Sequence, residues 1–366
     1  MKSRIDFSNS INPEFFDTLR NKVNEYFQVN RISRFGNYHM VIKTIVMLSI
    51  YFIPYALMVS GVITNPWLIL VMWIIMGFGM AGIGLSIMHD ANHGSYSRNK
   101  VVNTIFGYFI NLVGGSVTNW KIQHNVLHHS YTNIEGHDED ITTVPILRFA
   151  PGQKKFKIHH YQHIYAWFLY SLMTLAWFAY NDIPRLLRYK KRKQVKNHKL
   201  KFGWIMAELI FFKIFYAFYI ILIPLLVLDI PWWATLGLFF IMQAICGLLL
   251  TTIFQLAHIM PTSEFPVPDS KGRIQNSWAI HQLHTTTNFS PNSRIFSWYI
   301  GGLNYQIEHH LFPNICHVHY RNISKIIKST ALEYGMPYHS QSNFITAIIS
   351  HFKMLKMMGR APVSLG

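Results

Sequence analysis

The chain has 366 residues, 51% hydrophobic, 15% aromatic and only 13% charged, with a mean hydropathy of +0.18. Soluble domains carry roughly 25% charged residues, so these charges are too few to cover a soluble surface, and membrane residence is expected. The net charge of +17 and pI of about 9.8 do not make a nucleic-acid binder, because the basic residues flank apolar spans and no nucleic-acid module accompanies them.

The first forty residues are polar and mixed in charge, so no cleavable signal peptide is expected. Asn12 is placed to cap a helix with Pro13 at its first position. Phe15, Phe16, Leu19, Val23 and Phe27 then share one face. This amphipathic helix lies on a membrane or packs over the rest of the chain; packing is the expected use. Residues 1–40 are read as an N-terminal amphipathic segment, 41–340 as the membrane domain and 341–366 as a cytoplasmic tail.

Apolar spans follow at 44–62, 66–88, 205–228 and 231–257. Each approaches the ~20 residues that cross a hydrocarbon core. They form two hairpins, turning at Thr64-Asn65-Pro66 and Asp229-Ile230-Pro231. Gly77, Gly79, Ala81, Gly82 and Gly84 in the second span predict close helix packing; room for an acyl chain is the alternative. Cys246 and Cys316 are the two cysteines, too few for a disulfide framework or a Cys-rich metal site.

Shorter apolar stretches at 104–118 and 164–180 are placed by parity. If His89 and the histidines near 309 serve one site, an even number of crossings separates them. The basic run Arg185, Arg188, Lys190, Lys191, Arg192, Lys193, Lys196, Lys199 and Lys201 should be cytoplasmic, like the loop before it. Both short stretches are therefore expected in the interface. The fold class is an all-α integral membrane protein, four spanning helices in two hairpins with a helical cytoplasmic cap.

Three histidine clusters stand at the edges of these spans: His89 with His93, His124 with His128 and His129, and His309 with His310. Ionisable residues at such positions point to function. Residues four apart share a helix face, so His89/His93 and His124/His128 can chelate one metal or reach two. Adjacent pairs such as His309-His310 diverge and suit bridging. Imidazole accepts zinc, copper, iron and nickel, so ligand type alone does not choose the metal. His258 ends the fourth span as His89 ends the second, and is an eighth candidate ligand. Metal-bound imidazoles need acceptors for their other N–H; Asp90, Glu135, Asp138, Asp140 and Glu308 are nearby in sequence. His281 and His284 are assigned to substrate contact or to orienting the ligands. His159, His160 and His163 are placed beside lipid headgroups. His198, His317, His319, His339 and His351 lack metal-ligand spacing.

The spacings His-x-x-x-His, His-x-x-x-His-His and Gln-x-x-His-His resemble the histidine-box membrane fatty acid desaturases. The stretch Gly301-Gly302-Leu303-Asn304-Tyr305-Gln306-Ile307-Glu308-His309-His310-Leu311-Phe312-Pro313 is similar to the third box of their front-end branch, whose members act between an existing double bond and the carboxyl end. The resemblance runs from about residue 40 to about 340. It implies a non-haem pair of irons, dioxygen as co-substrate and two electrons from a partner. It also implies His89, His93, His124, His128, His129, His258, His309 and His310 as iron ligands. Gln306 replaces the first His of the third box and ligates weakly or acts from outside the ligand set, as do Asp90, Glu308 and His284.

A fused cytochrome b5 domain, with its His-Pro-Gly-Gly motif, is a feature of many front-end members and is not found in this sequence. A separate ferredoxin or free cytochrome b5 with its reductase is therefore expected as donor. The acyl substrate is carried by coenzyme A, by acyl carrier protein or in phospholipid. The basic run steers an acidic carrier or coenzyme A phosphates, or meets anionic lipid. A bacterial inner membrane is the expected home, with the site facing the cytoplasm. A hydroxylase or ketolase on the same iron core is the nearest rival. A metal transporter is the remote one, disfavoured because the clusters sit at span ends rather than at a midplane.

Overall fold

The computed structural model describes residues 5–8, 11–142, 145–195 and 201–363. Lys196 and Lys199 of the basic run, and His198, lie outside the described residues. The chain is helical. In order it forms β1 (Asp6–Phe7), α1 (Phe15–Val29), α2 (Tyr38–Val59), α3 (Pro66–Asn92), α4 (Lys100–Leu112) and α5 (Val117–Tyr131). Then come α6 (Gln162–Ser171), α7 (Asp182–Lys191), α8 (Phe202–Val227) and α9 (Trp232–His258). Last are β2 (Arg273–Ile274), α10 (Trp278–Thr285), β3 (Asn288–Phe289), α11 (Gln306–Leu311), α12 (Tyr320–Glu333), β4 (Ser340–Gln341) and α13 (Phe344–Arg360). The strands pair in parallel as β1 with β2 and β3 with β4.

Among the described residues, α2, α3, α8 and α9 are the four helices long and apolar enough to cross a membrane. A fifth arises only if α4 and α5, bent by 108° at their break, count as one span. The turn at Thr64-Asn65-Pro66 is as expected: the Asn65 side chain accepts from Trp67 N and Leu68 N, and Pro66 opens α3. α2 begins six residues before the expected span, at Tyr38 rather than 44. Its first turns mix Tyr38, His39 and Lys43 with apolar residues, so a hydropathy window passes over backbone that continues as helix.

The chain divides into two compact units that interleave along the sequence. One comprises residues 38–122 and 167–252. Here α3 lies close to α2: a Cβ on Gly79 would stand 2.7 Å from Tyr51 N and 2.9 Å from the Ile50 carbonyl carbon. Gly77 meets the Met242 carbonyl at 3.0 Å in the same way. Those glycines serve close packing. Lys213, within α8, is not left alone in apolar surroundings: it donates to Asp182 Oδ2 at 2.6 Å, the Gly114 carbonyl at 2.6 Å and the Trp177 carbonyl at 2.8 Å. Asn119 Nδ2 also donates to Asp182.

The other unit comprises residues 1–37, 123–166 and 253–366. Phe15, Leu19, Val23 and Phe27 of α1 are buried against Ile323, Ile327 and Ala331 of α12 and Leu283 and Leu311 of α10 and α11. α1 is thus a packing helix. It starts at Phe15, not Pro13, because Asn12 takes a left-handed φ of 45° and donates to the Tyr334 carbonyl instead of capping. The stretch beyond 341 is helical too: α13 buries Ala347, His351, Met354, Leu355 and Met358.

Candidate metal centre

His124, His128 and His129 lie where α5 widens into π turns over Lys121–His128. A wide turn advances more residues per revolution, so the i, i+5 pair approaches as closely as the expected i, i+4 pair. His129 Nε2 lies 3.3 Å from His124 Nε2, while the His124 and His128 rings are 5.3 Å apart, centre to centre. His309 and His310, on the short buried helix α11, diverge as expected from adjacent positions. His309 Nε2 is 3.0 Å from His129 Nε2. The His310 ring lies 4.9 Å from that of His128 and 4.7 Å from that of His258, at the end of α9.

Six of the eight expected imidazoles are therefore gathered in one unit. His128, His258 and His310 are all buried and each offers a ring nitrogen within 4.8 Å of the others; so do His129, His309 and His310. His124 and His128 stand in a like relation to Asp140. The remaining two, His89 and His93, are in the other unit. Their rings are 4.8 Å apart and both meet the Trp120 ring edge-on, at 5.7 and 5.6 Å. His89 Nδ1 lies 3.5 Å from Asp90.

The opposite edges of four of these imidazoles are tied down. His128 Nδ1 faces Asp138 at 3.1 Å, and Asp138 is itself held by the backbone N–H groups of Asn133 and Asp140. His258 Nδ1 faces the Thr285 carbonyl at 3.2 Å, His310 Nδ1 the Gln282 Oε1 at 2.8 Å and His309 Nδ1 the Tyr320 hydroxyl at 3.2 Å. With acceptors at Nδ1, the Nε2 lone pairs are left to face inward. His258 Nε2 is buried with no hydrogen-bond partner among the described residues, which is costly unless something occupies it.

Charge favours a cation here. Burial works to lower the pKa of His128, yet the Asp138 and Asp140 carboxylates override it and raise it to about 9. Metal–nitrogen bonds of about 2.1 Å set neighbouring donor atoms about 3 Å apart, which the closest Nε2 pairs match. The residues present fit a metal, and imidazole-rich sites accept iron.

The other candidates are placed as follows. Gln306, the first residue of α11, is buried and its Nε2 has no partner among the described residues. Glu308 accepts from Asn288 Nδ2 and the Tyr338 hydroxyl, both at 2.8 Å, and burial raises its carboxyl to about 7. His281 donates from Nε2 to the Thr132 carbonyl at 2.8 Å, just beyond the second cluster; burial lowers its pKa to about 4. His284 pairs with Glu264 at 2.8 Å and is not brought to the cluster. Glu135 lies within electrostatic reach of Arg148. Asp138 and Asp140 are the expected carboxylates that meet the cluster.

Sequence reasoning missed Gln282 and Tyr320. Gln282 Oε1 also accepts from the Thr132 hydroxyl at 2.9 Å, and its Nε2 donates to the His129 carbonyl at 3.1 Å. It sits between His281 and His284, so proximity to those histidines was the available signal.

The chain matches the family described as fatty acid desaturase over residues 65–342. It is 36% identical to an sn-1 linoleoyl-lipid 6-desaturase of Arthrospira platensis, covering 98% of this chain and 96% of that one. An sn-1 linoleoyl-lipid 6-desaturase of Synechocystis is 34% identical, covering 95% and 96%. An acyl-lipid (8-3)-desaturase of Physcomitrium patens is 36% identical, covering 98% of this chain and 74% of that one. Buried histidines at box spacing, on helices of the expected order, agree with that match: the chain belongs to the fatty acid desaturase family and is an oxidoreductase of that kind.

Proposed function

We propose that this chain is a front-end desaturase of acyl lipids, introducing a cis double bond between an existing one and the carboxyl end. The relatives named above act on linoleoyl-lipid and acyl-lipid, which favours a lipid-borne chain over acyl-CoA or acyl carrier protein. The observation that carries the chemistry is the buried set of six imidazoles, four of which have their outer nitrogens tied to Asp138, Thr285, Gln282 and Tyr320.

On this reading His124, His128, His129, His258, His309 and His310, with His89 and His93 on the strength of their motif, hold two irons. Bound iron would couple dioxygen, two electrons and two protons to the removal of two hydrogens from neighbouring methylenes, with two waters as the other product. The chain's own residues supply the rest. Asp138 holds the His128 ring and offsets positive charge beside it. Gln282 fixes the proton of His310 on Nδ1. Burial keeps bulk water from the imidazoles, as chemistry on unactivated carbon requires. Gln306 is read as a weak ligand or a neighbour of one. Electrons come from a separate carrier, a ferredoxin or free cytochrome b5, and the site faces the cytoplasm of a bacterial inner membrane.

The test is a double-bond-located lipid profile from cells producing this chain with a donor and supplied with mono- and di-unsaturated chains. A new bond on the carboxyl side of an existing one, absent in His128→Ala, is expected. A hydroxylated product, or a bond elsewhere, would overturn the front-end assignment. Its first appearance in phospholipid rather than in acyl-CoA is the expected order of labelling.

A further inference from the structure

The surface built by α13 and the segment at 154–164 is left unexplained by catalysis. α13 is amphipathic, with one face buried against the short helix Lys157–Tyr161. Gly359 seats against the His159 carbonyl, Gln162 Nε2 donates to the Leu355 carbonyl at 2.8 Å, and the His163 and Phe352 rings are 4.9 Å apart. These contacts make the two pieces one surface.

The outward stripe of α13 reads Ile345, Ile349, Phe352, Lys353, Met357 and Arg360, all exposed and all at helical spacing. Ile345 is 68% exposed and Met357 57%. The adjoining segment continues the pattern, exposing Phe156, Ile158, Tyr161 and Ile164 alongside Lys154, Lys155 and Lys157. No Asp or Glu occurs between Asp140 and Asp182, and none after Glu333. Large aliphatic and aromatic side chains interleaved with cations alone are the signature of a surface lying in a membrane interface. A purely charged protein partner would match the cations and leave the aliphatic groups in water.

We propose that α13 and residues 154–164 form an interfacial surface that rests in the headgroup region of an anionic phospholipid leaflet. Its apolar side chains enter the acyl boundary and its lysines and Arg360 meet lipid phosphates. The C-terminal helix is then a membrane-contact element in its own right, not a tail.

The experiment uses the full chain in nanodiscs of phosphatidylcholine, with and without phosphatidylglycerol. Met357→Cys carries an environment-sensitive thiol-reactive fluorophore; the wild-type chain, whose Cys246 and Cys316 are buried, gives the background. Expected are blue-shifted emission and quenching by nitroxide-bearing lipids, both stronger with phosphatidylglycerol. Adding Ile349→Asp and Phe352→Asp should abolish the quenching. If that variant fails to fold, the Lys353→Glu/Arg360→Glu pair should remove the phosphatidylglycerol dependence alone. Quenching by aqueous iodide that ignores lipid composition, with none by nitroxide lipids, would overturn the proposal. So would a probe that lipid quenchers do not reach but that an added acidic redox carrier shields, which would make the surface a protein dock.

Discussion

At the scale of single residues, the nitrogens facing away from the cluster govern how well it can hold a metal. Gln282→Leu keeps the approximate volume but removes the acceptor of the His310 and Thr132 protons. Loss of such a partner costs about 10–100-fold in metal affinity, so iron per protein, read by elemental analysis under limiting iron, should fall while helicity is retained. Asp138→Asn should act in the same direction, since it also removes the charge beside His128. Iron content equal to wild type in both variants would place these partners outside the site's function. The histidines themselves were legible from spacing, because ligands on one helix turn leave a short-range pattern. Gln282 and Tyr320 were not, because an acceptor arriving from another helix has no fixed offset from the ring it orients.

At the scale of elements, close approach explains the glycines of α3. Gly79→Ala would drive a methyl into the backbone of α2 and should cost about 1–3 kcal/mol by overpacking, read as a lowered melting temperature in detergent. Gly84→Ala meets only the end of the Leu250 side chain, at 3.2 Å, and should be nearly neutral. Equal effects at the two positions would refute the packing account. The four candidate spans and the first hairpin turn were legible from hydropathy and from Asn65-Pro66. The π turns at Ile83–Met88 and Lys121–His128 were not: the same apolar and His spacing serves an α or a π turn, and tertiary contacts choose between them.

For the whole molecule, charges within apolar helices must be paired. Lys213→Met leaves Asp182 buried without its ion partner and should destabilise by about 3–5 kcal/mol. The double variant Lys213→Met/Asp182→Asn should recover much of that loss in thermal unfolding. A double variant no better than the single would show that an unpaired Asp182 charge is not what destabilises the single variant.

Composition, span periodicity and histidine spacing by themselves pointed to a helical chain with four apolar spans and clustered histidines able to hold a metal, and the resemblance of its boxes pointed to the desaturases. Those are local properties, written within about one or two helical turns. Tertiary structure alone decided that His284 turns away to Glu264 and that Gln282 rather than a carboxylate holds His310. Each of those outcomes depends on which segment faces which across twenty or more residues of chain, and no local pattern encodes that choice.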